Sequence, residues 1–382
     1  MTDRHVQMHA AILTAMSTLF LSTVSNASDS SYHWTHYGIR PLGMGNAFTS
    51  VADDYNAVFY NPAGLAGLED WSLELINPIV SVSKNTVTTA NNVMKLASSS
   101  STGKSGTSAV QSVLDIFSDL SGRPQHLQLG LSPHFVMQGF GLGIGVNLGG
   151  SLTVHREISA DVDAGLDVIV PISAARKFRD GRVSVGASVK PVMTMGVDRE
   201  FSLADITAFT KKSDSNSGEN VKLSDYVQSG QGVGVDLGVL LRSDEKSDTT
   251  LGLAVLDLGG TPYKATNNAG RPKPRPATTN FGISSKFFKS DDTHLLATMD
   301  VQNISSSSHF SKKVQFGSEF SYGKVIKLQA GLHQGEFCGG IQLDAWLLKL
   351  RFATYAEQLG PVAGDHPDFV DRRYVAQLKM FL

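Results

Sequence analysis

The chain is predicted to be all-β: a closed antiparallel transmembrane β-barrel of about fourteen strands, with an N-terminal hatch folded into its lumen. Three observations predict this. Runs of apolar and polar alternation fill the chain beyond Trp71, the connections between runs alternate long and short, and the first residues have the layout of an export signal.

The alternation is cleanest where Phe140, Leu142, Ile144, Val146 and Leu148 interleave with Gly141, Gly143, Gly145, Asn147 and Gly149. One face is apolar and the other tiny or polar, the period of a strand half in contact with something greasy. The same period sets Val233, Val235, Leu237 and Val239 against Gly232, Gly234, Asp236 and Gly238. It returns at Ile326, Leu328, Ala330 and Leu332, then at Leu348, Leu350 and Phe352, and last at Leu378, Met380 and Leu382. A soluble sandwich also alternates. The connections separate the two.

The runs begin near Trp71, Gln125, Phe140, Asp161, Arg182, Gln231, Thr250, Ala277, Thr293, Lys313, Val325, Phe337, Leu348 and Arg372. Long connections are Lys84 to Pro124, the stretch ending near Ala160, Ser202 to Gly230, Gly260 to Pro276, Ser305 to Lys312 and Gln358 to Asp371. Tight ones are Gln138-Gly139, Arg179-Asp180-Gly181, Lys289 to Asp292 and Tyr322-Gly323-Lys324. Long loops at one end and short turns at the other is the outer-membrane arrangement, with an even strand count. Closure is required because a lipid-facing sheet edge would leave backbone groups unpaired in hydrocarbon. Two places depart from the pattern: Gln334-Gly335-Glu336 is short where a long loop is expected, and the turn near Asp344-Ala345 has no strong turn residue.

Composition agrees. Among 382 residues, 37 are glycine and 18% are charged, against the usual ~7% and ~25%, a poor fit to a helical cytosolic enzyme. Lys and Arg number 33 against 35 Asp and Glu, which gives no electrostatic ground for binding nucleic acid. The single cysteine, Cys338, can form neither an intramolecular disulfide nor a thiolate zinc site, and reads as a small buried apolar residue.

Residues 1–27 carry Arg4 and His5, the apolar stretch Ala10 to Val24, and Ser25-Asn26-Ala27. This is the layout of a secretory signal cut after Ala27. The organisation expected is therefore a signal peptide at 1–27, a hatch at 28–70 and a barrel at 71–382, in the outer membrane of a Gram-negative-type bacterium. Two long loops carry helical patterns. Ser108 and Gln111 stand at capping-box spacing at the head of a run with Val110, Val113, Leu114, Phe117 and Leu120, and Gly122 closes it. Ser202 to Asp205 opens a shorter one with Ile206 and Phe209. Each is expected to pack on the barrel rim, and Val113, Leu114, Phe117 and Leu120 also make a candidate apolar landing site.

Between Arg40 and Leu65 the apolar residues do not alternate for long, and turn formers abound. Asn61-Pro62-Ala63-Gly64 reads as a turn, with Pro fixing φ and Gly supplying a conformation that other residues avoid. Gly43-Met44-Gly45, Ala47-Phe48, Ala52-Asp53-Asp54 and Asn61-Pro62-Ala63-Gly64-Leu65 together resemble the hatch of the FadL-type outer-membrane family, which moves long-chain fatty acids and other hydrophobic compounds. Tyr355 to Gly360 and Asp371 to Tyr374 look more like the PorV and TraF-like relatives within that fold. The resemblance covers about twenty-five residues of the hatch and, beyond it, architecture alone. It implies a fourteen-stranded barrel, a lumenal hatch, and capture of a hydrophobic ligand near the outer loops. Hatch rearrangement or a wall opening then lets the ligand move inward and sideways. The hatch and gating residues it carries over are Gly43, Gly45, Asp53, Asp54, Asn61, Pro62, Ala63 and Gly64. The chain departs from the common pattern by ending Met380-Phe381-Leu382 rather than on an aromatic residue.

Other candidates have plainer readings. Asp53-Asp54 could bind a cation or pair with a lumenal Arg, and capping a helix or turn is the favoured role. The glycine runs at 141–145 and 232–238 alternate within strands, so they are read as leaving lumen space or allowing close packing rather than as nucleotide loops. Arg271 to Pro276 could recruit an anionic partner, and is more simply a stiff external loop. His33 with His36, and Asp365 with His366 and Asp368, lack enough ligands for a metal. No nucleophile motif singles out a serine beside His126, His134, His294 or His333, so no enzyme activity, metal or cofactor is expected.

The sequence thus points to a channel or carrier for passive uptake of hydrophobic small molecules, with outer-membrane lipid and the ligand as partners. The alternative is a PorV-like accessory that binds secretion or envelope proteins. An apolar path past the hatch would favour the first, and a polar, plugged lumen the second.

Overall fold

The structure, a computed structural model, describes residues 38–91, 120–155, 159–202, 205, 223–243, 248–290, 292–323, 325–345, 348–359 and 370–380. The export signal, His33, His36, Asp365, His366, Asp368 and the last two residues lie outside the described residues. So do Val113, Leu114 and Phe117 of the first loop helix, and Ile206 and Phe209 of the second.

Fourteen antiparallel strands close into a barrel. The first four come in two pieces each: β1 (Ser72–Glu74 and Ile79–Ser83), β2 (Gln125–Leu131 and His134–Met137), β3 (Phe140–Gly143 and Gly145–Val154) and β4 (Ala160–Ile169 and Ile172–Phe178). The others are β5 (Val183–Phe201), β6 (Gln228–Arg242), β7 (Thr249–Leu256), β8 (Thr278–Phe287), β9 (Thr293–Val301), β10 (Val314–Tyr322), β11 (Ile326–His333), β12 (Glu336–Ala345), β13 (Leu348–Gln358) and β14 (Val370–Met380). Each strand pairs with its sequence neighbours, and β14 closes on β1 through Arg373↔Ser83 to Gln377↔Ile79. Gln334 and Gly335, with φ of 51° and 84°, make a two-residue turn of the kind that follows strand twist. That is why a long loop is not needed between β11 and β12.

The alternating faces are resolved as the periodicity requires. Leu148, Val233, Leu328, Leu350 and Leu378 point out and are exposed, while Asp236, Glu319, Gln329, Arg351, Gln377 and Lys379 point in and are buried. Trp71, Phe140, Phe178, Phe287, Phe288 and Tyr322 stand exposed around the short-turn rim, an aromatic girdle at the edge of an apolar band. A closed barrel with an apolar exterior and a polar interior is the arrangement of an outer-membrane protein, because strand pairing satisfies backbone groups that lipid cannot and apolar side chains face the hydrocarbon. The protein is an outer-membrane β-barrel.

The breaks in β1 to β4 fall side by side, at Leu75 to Pro78, Ser132-Pro133, Ile144 and Val170-Pro171. Proline supplies no ladder donor, so a strand that contains one bends or bulges there. Pairing resumes through the proline carbonyls. Ile144 N–H donates to Pro133 O at 2.8 Å, Gly143 N–H to Pro171 O at 3.0 Å, and Val170 N–H to Pro191 O at 3.0 Å.

Candidate functional site in the barrel lumen

Residues 38–68 pass inside the barrel and are almost entirely buried. Met44, Phe48, Val51, Tyr55, Val58, Phe59 and Leu65 form an apolar cluster. The segment reaches the wall where the wall has no side chain. A Cβ at Gly141 or Gly143 would strike Val58 and its neighbours, one at Gly186 would strike Pro62 and Ala63, and one at Gly252 would strike Thr49 and Ser50. Gly317 and Gly331 leave the same room for Met44 and Gly45, and Gly340 for Gly43. Close packing is thus the role of many inward glycines. Gly232 and Gly234 serve a different neighbour: they admit the loop after β7, at Thr261, Pro262 and Asp257.

Polar contacts fix the segment at three places. At the first, Arg40 spans both Glu319 oxygens, with Nε to Oε2 at 2.7 Å and Nη2 to Oε1 at 2.9 Å. Its Nη1 reaches Asp53 at 2.5 Å and Asp54 at 3.0 Å, and the guanidinium lies over Phe48 at 5.2 Å from the ring centroid. Burial alone would push the Asp53 carboxyl up, but the adjacent Arg40 charge more than offsets it and holds the group down to about 2. Burial likewise acts to lower the Arg40 pKa, and the carboxylates around it prevail and raise it well above its ordinary value. Capping is therefore the role of Asp54 alone, whose Oδ1 accepts from Asn56 N–H at 2.8 Å. Asp53 pairs instead with Arg40, which stands in the short helix Ile39–Gly43, so the favoured capping role holds for Asp54 and not for Asp53.

The second place is Asn61, fully buried. Its side-chain amide donates to Thr49 O at 2.8 Å and lies 3.4 Å from both Val239 O and Leu253 O on the wall. Its Oδ1 accepts from Ala63 N–H at 3.1 Å and so caps the short 3-10 helix Pro62–Gly67. A helix stands where a turn is expected, and Gly64 is needed there for contact rather than for φ: its missing Cβ makes way for the Ala52 carbonyl. Gly45, by contrast, does take a left-handed φ of 66°. The third place is Asp300 on β9, whose Oδ2 accepts from Phe48 N–H at 2.9 Å and Thr49 N–H at 2.8 Å.

Of the expected residues, Gly43, Gly45, Asp53, Asp54, Asn61, Pro62, Ala63 and Gly64 all lie in this segment. Leu120, of the candidate rim helix, is half-buried. Arg40, Tyr55, Asp300 and Glu319 join the site without having been singled out. A signal existed for three of them: Arg40 is the only charge between Gly38 and Val51, and Asp300 and Glu319 occupy inward places in otherwise uncharged strand runs.

A second polar cluster lies nearer the long loops. Lys190 contacts Asp236 at 2.7 Å and Asp257 at 3.0 Å, and Arg275 contacts Asp257 at 3.4 Å. Arg275 is buried and bridges to Thr261, so the end of the Arg271 to Pro276 stretch turns inward; only its earlier part is external, where Lys273 meets Asp198 at 2.7 Å. His134 Nε2 lies 3.4 Å from Ser72 Oγ and 3.2 Å from Glu74 Oε1, and its Nδ1 faces Ser132 O. Serine and carboxylate share one ring nitrogen, which is not the geometry of a nucleophile relay. Among the described residues no three His, Cys, Asp or Glu side chains are grouped as a metal site.

No protein-family model and no curated protein matches the chain. Solved structures do. The monoaromatic hydrocarbon channel CymD superposes with a TM-score of 0.54 at 14% identity, covering 92% of this chain and 99% of CymD. This chain has the CymD fold. The toluene transporter TodX of Pseudomonas putida matches at 13% identity over 90% of this chain and 96% of its own, TM-score 0.45. A FadL homologue of Pseudomonas aeruginosa matches at 11% over 89% and 97%, TM-score 0.40. The likeness of the C-terminal stretch to the PorV and TraF-like groups rests on the sequence alone.

Proposed function

We propose that this protein is a channel for passive entry of hydrophobic small molecules across the outer membrane, long-chain fatty acids among them, with the lumenal segment as its hatch. The observation that carries the reading is how that segment is held. It fills a barrel of the CymD fold through a few polar contacts and glycine-lined approaches, with no strand shared with the wall. Such a segment can shift without breaking a ladder. CymD is itself a monoaromatic hydrocarbon channel. In this reading the ligand arrives at the long-loop rim, and displacement of the segment at Arg40, Asn61 and Asp300 opens the way past it.

The accessory reading has one observation in its favour: the inner wall is polar and the lumen is occupied in this state. Uptake decides between them. Cells with or without the protein are given labelled oleate or labelled toluene, with surface expression checked in parallel. Protein-dependent uptake of either, altered by Asn61→Ala in a normally assembled barrel, is expected. Equal uptake in both strains despite a folded surface barrel would favour the accessory role.

A further inference from the structure

Where the lumenal segment turns at Gly45, a wall side chain meets it. His333, at the long-loop end of β11, is buried, and its Nδ1 lies 3.3 Å from Gly45 O. Nε2, on the other edge of the ring, faces a carboxylate: Glu357 Oε2 of β13 is 3.6 Å away, within ion-pair range. Tyr355 stands edge-on to the ring, with centroids 6.1 Å apart. Both ring nitrogens thus face oxygens that can only accept while Glu357 is ionised. A neutral imidazole carries a single N–H, so it serves one of these neighbours and turns a lone pair towards the other. An imidazolium serves both.

The neighbouring carboxylates are matched differently. Glu336, which opens β12 opposite His333, meets Arg372 at 3.5 Å, and Asp371 of β14 meets Arg373 at 2.7 Å. A guanidinium keeps its charge throughout the ordinary pH range. Glu357 lies opposite Asp371 in register; it accepts from Gln334 Nε2 at 3.2 Å, and its ion-pair partner among the described residues is His333. An imidazole changes charge between about pH 5 and 8. Of the three carboxylates, the one whose cation titrates is the one joined through that cation to the lumenal segment.

Resting on the reading of this segment as a hatch, we propose that His333 is a pH-sensitive catch: as an imidazolium it joins Gly45 of the hatch to Glu357 of the wall, and loss of the proton loosens the hatch. The hold is complete at the acid end of the histidine range and is given up as pH rises through it. Entry of a ligand is therefore slower in a mildly acid medium than in an alkaline one. Other charged or titratable groups adjoin the site: Glu336 and Cys338 on β12, Tyr355 on β13, Asp371 and Arg373 on β14, and His126 of β2, which faces Glu357. Beyond Gln315, Asp300 of β9 holds the next stretch of the segment at Phe48 and Thr49. All of these stay in place when His333 alone is exchanged, so the difference between the two proteins belongs to His333.

The chain carries its own reporter. Cys338 is its single cysteine, is 0% exposed, and packs with Ile39 and Leu42 of the segment. A charged methanethiosulfonate reaches it when the segment lifts. Its labelling rate is measured on the full barrel in liposomes from about pH 5 to 8, in the parent and in His333→Asn, whose amide does not titrate. The rise of thiolate with pH is common to both proteins, so the ratio of their rates isolates His333. The ratio is expected to rise about tenfold from the acid to the alkaline end, the weight of one charge-assisted contact. Toluene uptake should follow the same curve in the parent and lose it in the variant. Glu357→Gln gives a second comparison should His333→Asn assemble poorly: an amide can donate or accept, so the ring is satisfied in either state and the parent-like rise should vanish. A ratio that ignores pH, or a rise that survives Glu357→Gln, would overturn the catch. Labelling that follows pH while uptake proceeds equally at every pH would overturn its control of entry. Labelling that follows pH with no uptake at any pH would support the catch and remove the channel reading instead.

Discussion

Asn61 lies against Gly238, and a Cβ at that wall position would occupy the place of its amide oxygen. The same oxygen caps the 3-10 helix Pro62–Gly67, while the amide nitrogen lies within reach of carbonyls on β6 and β7. One bare backbone position thus sets how closely the lumenal segment docks.

Gly238→Val is therefore expected to displace the segment rather than unmake the barrel. Overpacking of this kind costs about 1–3 kcal/mol. Proteolysis around residues 45–65 should become measurably faster in the variant, while heat-modifiable migration of the folded barrel stays as in the parent. Unaltered proteolysis would mean that the segment does not depend on this approach.

Asn61→Ala removes the cap and the amide donor but none of the wall. Loss of a cap costs about 1 kcal/mol, and the Thr49 carbonyl loses its 2.8 Å donor. Permeation should change more than assembly does. Wild-type uptake in a normally folded Asn61→Ala protein would count against a gating role for this residue.

Arg40→Gln is expected to be the most damaging single change in the segment. It leaves Glu319, whose side chain is 0% exposed, with Lys327 at 3.7 Å as its remaining ion-pair partner among the described residues. Breaking a buried pair on one side costs about 3–5 kcal/mol, whereas replacing both members with apolar residues is often neutral. A urea titration should place Arg40→Gln well below Arg40→Met with Glu319→Leu. The reverse order would show that Glu319 is satisfied without the guanidinium.

The Asp53 contact predicts an acid limit. Its folded pKa is lowered, to about 2, from the ~3.9 of a free Asp. A depressed carboxylate contributes stability above the unfolded pKa and loses it as pH falls through the folded one. Docking of the segment should therefore be insensitive to this group from neutral pH down to about 4, and weaken between about 4 and about 2. Asp53→Asn should abolish that part of the pH dependence in a protease-accessibility titration. The Asp53 side chain is 39% exposed, so the effect is expected to be modest.

Barrel and strand count were legible because period-two alternation belongs to each strand separately. Val233, Leu237 and Leu241 declare an outward face without reference to any other strand, and Gln138-Gly139 declares a turn in two residues. The lumenal segment was legible as a compact, non-alternating stretch, and Asn61 to Gly64 as its most distinctive element. What each glycine makes room for was not. Gly238 and Gly234 lie on one strand face, four residues apart, yet one accommodates Asn61 and the other the loop at Asp257 and Thr261.

The local pattern of the chain was thus enough for an all-β barrel, its long and short rims and its inner and outer faces, since these follow from neighbours one or two positions apart. The partners of the lumenal residues needed the closed fold. Arg40 meets Glu319 across 279 positions and Gln377 meets Asn77 across 300. Those pairs depend on the registers of all the strands between them and on where β1 stops pairing with β14. No repeat within one strand encodes such a distance, so the closing of the ring brought these contacts into being.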